Sequence, residues 1–261
     1  FDQVAFMFEP EAAALAAAGD RKGTGLIVDI GGGTSDFSVF RRTANDFAIL
    51  ASHGIRLGGT DFDRSLSLDH VMPLLGKGTE LWAEIGPARH TAPNAIFHDL
   101  STWARIPFLY SPRTRREVAR MLKVAVEPHK LRRLATVLED ELGHDVAFAV
   151  ERGKIAANGS ETDGSIDLGM IEQGLSVGLS RSAMAVSLSP SAGEIAEAAQ
   201  NCIDAAGIAA DQVDRVVLVG GSSLMSGVAD AVAHSLPAAR VERGNAFTAI
   251  IDGLALATAR A

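Results

Sequence analysis

Val216-Val217-Leu218-Val219 is an unbroken apolar run, and Gly220-Gly221-Ser222 closes it before a helical pattern over Met225–Leu236. An apolar run without alternation reads as a strand buried on both faces, the situation of a parallel strand covered by helices. The neighbouring segments agree. Helical patterns over Ala192–Ala206 and Thr248–Arg260, a strand over Val213–Val219 and a short strand over Ala239–Glu242 make the last third an alternation of strands and helices. Such an alternation adds parallel strands to a sheet, which fixes the class as α/β.

The beginning of the chain has a different grammar. Val4–Phe8 reads as a strand, Pro10 suits the first turn of an alanine-rich helix, Gly19 is a natural stop, and Asp20–Gly25 is a polar turn. Three strand candidates follow closely at Leu26–Ile30, Phe37–Phe40 and Phe47–Ile55, with loops short enough only for antiparallel neighbours. Gly58-Gly59 ends this meander and Asp61–Met72 reads as a helix. From Pro73 to Pro112 no period holds: prolines recur and both tryptophans, Trp82 and Trp103, lie here, so short helices in irregular chain are expected. Helical patterns dominate Arg113–Ala157, and Ser165–Ile171 reads as strand or turn. The expected architecture is one mixed sheet interrupted by a mainly helical insertion. Residues 1–20 form a leading strand and helix, 21–60 with 165–261 the sheet-bearing core, and 61–164 the inserted subdomain.

Charge and cysteine usage narrow the partners. A formal net charge of −8 disfavours whole-chain binding to nucleic acid or to an anionic membrane. One local exception is the basic run Arg113, Arg115, Arg116, Arg120, Lys123, Lys130, Arg132 and Arg133, read as a solvated helix face or as a surface for an acidic partner. Cys202 is the single cysteine, so there is no internal disulfide, and its alanine neighbours place it in a helix core. No apolar run is long enough to span a bilayer. No basic-then-apolar signal segment is present, and a chain that begins at Phe1 is expected to be a piece of a longer one. Asn158-Gly159-Ser160 fits the glycosylation pattern but reads as a turn.

The chemistry concentrates in IVDIGGGTSDF, Ile27–Phe37. Successive amides in a glycine-rich turn can converge on one anion, and glycine lets it approach without a Cβ in the way. Thr34 adds a hydroxyl, Asp29 at the strand end could hold a hydrated Mg²⁺ beside phosphates, and Asp36 could orient a water or a lysine. A glycine-rich hairpin with capping aspartates explains the same residues. The second turn, Gly220-Gly221-Ser222, opens a helix N-terminus toward a ligand crevice or serves tight strand-to-helix packing. Glu9, before Pro10, caps a helix or polarises an attacking water in phosphoryl transfer.

FEPEAAAL, IVDIGGGTSDFSV, RLGGTDFD, ERGK and VVLVGGSSLMSGV occur in the order seen in the ATPase domain of the 70-kDa heat-shock chaperone (DnaK-like) family, which this chain resembles over most of its length. The resemblance implies an actin-like ATPase (ribonuclease H-like) lobe, namely the interlobe crossing helix and the complete second lobe of a two-lobed domain. It is most similar to the YegD-like branch. By that resemblance the ligands are ATP or ADP with Mg²⁺. Gly31, Gly32, Gly33 and Thr34 would cradle the β- and γ-phosphates, Asp29 would hold Mg²⁺ through water, and Glu9 would contact the water or metal shell. Gly220, Gly221 and Ser222 would line the adenosine side. Glu151 and Lys154 occupy the purine- and ribose-contacting helix; three residues apart, they share a helical face, and a surface ion pair is the competing reading. The catalytic set is thus Glu9, Asp29, Thr34 and Asp36.

The family also implies a cytoplasmic protein of the stress response, with client polypeptides and co-chaperones as partners and neither nucleic acid nor membrane among them. Several positions depart from the family pattern: Phe8, Glu11, Leu224 for the adenine-stacking arginine, Phe247, and Asn158 for a ribose-contacting serine. The first phosphate loop, Asp-x-Gly-Thr-Thr-x-Ser, occurs nowhere in the sequence. The first lobe is therefore expected outside this sequence, and hydrolysis by these residues alone is not expected, because phosphoryl transfer needs positioning from both sides. A small-molecule (sugar) kinase of the same fold and a non-catalytic interaction domain are the alternatives.

Overall fold

The computed structural model describes residues 4, 6–7, 9–18, 21–44, 47–83, 85–159, 163–244 and 248–258. Phe8, Gly19, Ser160 and Phe247 lie outside them, as does part of the strand expected over Val4–Phe8. The chain divides into two compact units, residues 1–61 with 189–261 and residues 62–188. Residues 165–188, assigned to the sheet-bearing core from sequence, fall in the second unit.

The first unit is built on a sheet. Its strands among the described residues are β1 (Gly23–Ile30), β2 (Ser35–Arg42), β3 (Phe47–Ile55), β8 (Arg215–Val219) and β9 (Arg240–Arg243), in the order β3-β2-β1-β8-β9. β1–β2 and β2–β3 pair antiparallel, while β1–β8 and β8–β9 pair parallel. The sheet is therefore mixed, as the two grammars of the sequence require. β8 is buried at every residue, which is why it lacks alternation.

Helices cover both faces. α1 (Glu9–Ala18) and α9 (Ala249–Thr258) pack on one, where Ala13 and Ala14 meet Ile27, Phe40, Val217 and Val219. On the other, α7 (Arg181–Ala205) places Cys202 against β3, its Sγ 3.7 Å from the carbonyl of Ala51. Cys202 is fully buried and burial pushes its thiol pKa up, the state of a core thiol. α7 begins at Arg181 and runs through Pro190, longer than the Ala192–Ala206 expected. The strand α8 follows is β8: α8 covers Ser226–Ser235.

The second unit holds α3 (Ala95–Leu100), α4 (Pro112–Lys123), α5 (Pro128–Glu139) and α6 (Gly143–Gly159). Ser111 caps α4, its Oγ accepting from the Thr114 amide at 3.2 Å, and Pro112 and Pro128 occupy first-turn positions where no amide is missed. Leu131, Leu134, Val137 and Leu138 of α5 pack with Val118 and Met121 of α4 in its core. Asn158 and Gly159 close α6 and do not form a separate turn.

Two hairpins form here: β4 (Glu80–Trp82) with β5 (Arg89–Thr91), and β6 (Gly164–Asp167) with β7 (Ser176–Leu179); β6 falls on the strand or turn expected over Ser165–Ile171, while β4, β5 and β7 escaped the sequence reading. Strands of three or four residues are too short to display a period. The helix expected over Asp61–Met72 is α2 (Gly59–Leu66), continued by a π-helical turn over Ser67–Val71 and a 3₁₀ turn over Met72–Leu75. Pro73 lacks an amide, and Gly76, at φ 109°, ends the turn left-handed.

α1 and α9 approach closely at Gly253. A Cβ there would overlap the backbone carbonyl of Ala12. Gly253→Val is expected to destabilise the protein by about 1–3 kcal/mol, the usual cost of overpacking, as read by chemical denaturation.

Candidate functional site

The first unit assembles its polar groups at the end of β1. Asp29 and Asp36 are direct cross-strand partners in the β1–β2 register, so their side chains share a face. Glu9 opens α1, and its charge also reaches Asp29. Burial first, then Asp36, then Glu9 hold the Asp29 carboxyl above the ordinary carboxylate range. Among the described residues no lysine, arginine or hydroxyl bonds to any of these three carboxylates. Like charges without a counter-charge are costly unless a cation joins them.

Gly31–Thr34 connects β1 to β2. The Gly31 amide donates to the Thr34 carbonyl at 2.9 Å, which closes the turn. The carbonyls are then taken from outside: Gly59 N donates to Gly31 O at 3.0 Å, and Thr60 N and Oγ1 donate to Gly32 O at 2.7 and 2.9 Å. The amides of Gly32, Gly33 and Thr34 have no acceptor among the described residues. Gly58 packs onto this turn so closely that a Cβ would lie 2.6 Å from the Gly33 nitrogen. Its own amide is held by Asp61 at 3.0 Å. Gly58, Gly59 and Thr60 therefore support the loop, a role their motif RLGGTDFD did not disclose on its own; the glycine pair was the available signal.

The glycines of the loop differ in what requires them. Gly220, at φ 83°, is needed by its backbone and by its neighbours: a Cβ would lie 2.5 Å from Asp29 Oδ1. Gly32 and Gly33 are not in the left-handed region, and an added Cβ would meet nothing within 4 Å. Neither conformation nor internal packing asks for glycine there. Open space above a backbone with spare amides is what a ligand that touches the backbone requires.

The Gly220–Ser222 turn lies against the same loop, since a Cβ on Gly59 would overlap Ser222 Oγ. Within the first unit, then, Glu9, Asp29, Asp36, Gly31–Thr34 and Gly220–Ser222 form one constellation. Thr34 and Asp36 are exposed, Asp29 half-buried.

Glu151 and Lys154 belong to α6 in the second unit. Lys154 is buried, and its ammonium lies 2.8 Å from Asp63 Oδ1. Burial raises the Asp63 pKa, Lys154 lowers it and Glu151 raises it. The ion pair of Lys154 is with Asp63, while Glu151 is exposed. Leu224 is partly exposed, and the Asn158 carbonyl accepts from Arg181 at 3.2 Å.

Two consequences are measurable. Because the folded state raises the Asp29 pKa, it binds that proton more tightly than the unfolded chain does. Stability is then fully present below the ordinary carboxylate pKa and falls as pH rises through the raised value. Asp29→Asn is expected to remove that loss and to exceed the parent in stability above the interval, as read by denaturation between about pH 3 and about pH 8. Lys154→Met leaves the partly buried Asp63 without its cation and is expected to cost about 1–3 kcal/mol, most of it recovered in the double variant Lys154→Met, Asp63→Leu.

Comparison with known proteins gives this geometry a context. The Hsp70 protein family model matches residues 2–81. The chaperone protein HscA homolog of Burkholderia multivorans is 45% identical over 71 residues, 26% of this chain and 11% of that protein. The chaperone protein HscA of Proteus mirabilis is 48% identical over 62 residues, 23% of this chain and 10% of that protein. The chaperone protein DnaK of Anaplasma marginale is 36% identical over 99 residues, 36% of this chain and 14% of that protein. The aligned segments thus span between a tenth and a seventh of these curated relatives. The residues that the Hsp70 protein family model matches include Glu9, Asp29, the Gly31–Thr34 loop and Asp36.

Proposed function

We propose that this chain is the nucleotide-binding second lobe of a heat-shock-chaperone-like ATPase of the actin-like fold, of the YegD-like branch. ATP or ADP is the ligand, and Mg²⁺ accompanies it. The observation that carries the reading is the Gly31–Thr34 loop: its carbonyls are consumed by Gly59 and Thr60, its amides are left over, and Gly32 and Gly33 face open space. On this reading the amides of Gly32, Gly33 and Thr34 receive phosphate oxygens. Gly220, Gly221 and Ser222 bring the nucleoside side against the same loop. Glu151 and Lys154 serve the base and ribose.

The carboxylates suit a hydrated divalent cation: Asp29 and Asp36 are a cross-strand pair with no positive partner among the described residues and Glu9 lies within electrostatic reach, while no three acidic side chains among the described residues are close enough to ligate a metal directly. Asp29 would hold it, through water, with Asp36 and Glu9 in its outer shell. Bound there, Mg²⁺ would neutralise phosphate charge. Glu9 is suited to accept a hydrogen bond from the attacking water and so orient it, and Asp36 to hold a further water. Thr34 adds a hydroxyl donor beside the loop amides. The sequence holds no second phosphate loop of the Asp-x-Gly-Thr-Thr-x-Ser type, so a partner lobe supplies the opposite wall, and clients and co-chaperones are partners of the assembled protein.

Titration calorimetry with Mg-ADP tests the reading. Binding is expected, and Gly32→Val is expected to weaken it by roughly tenfold or more without loss of stability, since its Cβ meets no protein atom. No heat at millimolar nucleotide would overturn the reading in favour of a non-catalytic interaction domain. Steady ATP turnover by these residues alone is not expected above the Asp29→Asn background.

A further inference from the structure

The basic run read from the sequence is resolved by α4 into two sets. Arg115 turns aside to an ion pair with Glu141 at 3.3 Å. Arg113, Arg116, Arg120 and Lys123 are all exposed and pair with no carboxylate among the described residues. Their spacing of three, four and three residues puts them on one helix face, opposite the buried Val118 and Met121. At the helical rise this ridge of four cations is about 15 Å long.

The ridge ends beside a groove of about 240 Å³, walled by α4 and the β4–β5 hairpin. Leu81, Pro93, Met121 and Val124 give it an apolar floor, Trp82 stands half-exposed at its side, and Arg120 of the ridge lines it too. The walls are fixed in place. The Trp82 amide donates to the Val124 carbonyl at 2.8 Å, and Val126 N donates to Glu80 O at 2.9 Å, so the chain leaving α4 is pinned to β4. Arg89 stacks over the Trp82 ring at 4.0 Å and is itself paired with Glu80 at 3.0 Å. Glu117 is the one carboxylate that lines the groove.

We propose that this face of α4 docks an acidic polypeptide segment whose apolar side chain enters the Trp82 groove. Charge complementarity argues for the acid. In a chain of net charge −8, a helix carrying Arg113, Arg116, Arg120 and Lys123 with no carboxylate partner among the described residues leaves a local field that attracts carboxylates. The apolar groups open at the groove argue for a peptide over a nucleic acid, because a phosphate chain would leave Trp82 and Pro93 uncovered. The chemistry required is several carboxylates spread over about 15 Å, three turns of helix, with one leucine- or phenylalanine-sized anchor beside them.

Fluorescence anisotropy on the whole chain decides the matter, with a fluorescein-labelled peptide of glutamates around a single leucine. Saturable, salt-sensitive binding is expected. Arg116→Glu with Arg120→Glu is expected to weaken it by roughly tenfold or more, and replacing the leucine by glutamate in the peptide to weaken it further. The pair Arg113→Glu with Lys123→Glu, on the same exposed ridge, repeats the test should the first variant melt early. The proposal is overturned by unchanged affinity in a folded charge-reversal variant, by no binding of the peptide at low salt, or by tighter binding of a single-stranded RNA oligonucleotide of equal charge.

Discussion

Everything at the candidate site hangs on the pairing of β1 with two different neighbours. Against β2 it runs antiparallel, which sets Asp29 opposite Asp36; against β8 it runs parallel, which sets Asp29 opposite Val219 and brings the Gly220 turn to the same level. A slip of one residue in the first pairing would send Asp36 to the opposite face of the sheet. Burial on both faces resists that slip. Ile27 and Phe40 pack beneath α1, and Leu26, Val28 and Phe37 are equally closed off from solvent. Packing of the core and placement of the carboxylates are thus the same constraint, met in one register.

The sheet was legible because its signals are long and redundant. After Arg215, β8 is wholly apolar, β3 extends over nine residues, and the short loops of the meander leave only antiparallel neighbours. In the second unit the signals are brief. β4 and β5 have three residues each and exist because α4's exit strand holds Trp82 and Glu80, a contact far away in sequence. The ending of α2 in π and 3₁₀ turns is likewise a local compromise around Pro73 that a helical period cannot foretell.

The residues of the candidate site could be picked out in the sequence, but their surroundings could not. Glycines in a row at Gly31–Gly33 satisfied both a hairpin and an anion nest on paper. What bears on the choice is surroundings that only the fold supplies. Gly58 and Gly220 are glycine because neighbouring atoms leave no room, whereas Gly32 and Gly33 have room and a conformation open to other residues. The partner of Lys154 also had to wait for the fold. Glu151 was within helical reach, yet the ammonium pairs with Asp63, in α2, whose carboxylate is better shielded from water than the exposed Glu151.

Electrostatics then constrain how the proposed ligand can bind. The loop amides suit an anion, but Glu9, Asp29 and Asp36 lie near the end of the same strand, where burial first and then the charges of Asp36 and Glu9 raise the pKa of Asp29. A bare polyphosphate brought to this loop would meet three carboxylates across a partly desolvated gap, where repulsion is poorly screened. A cation alone would gain the carboxylates, yet leave the amides of Gly32, Gly33 and Thr34 without acceptors. Only the two together satisfy both halves of the constellation. If the proposed ligands bind here, each would raise the affinity of the other, and by linkage the enhancement would be equal in both directions.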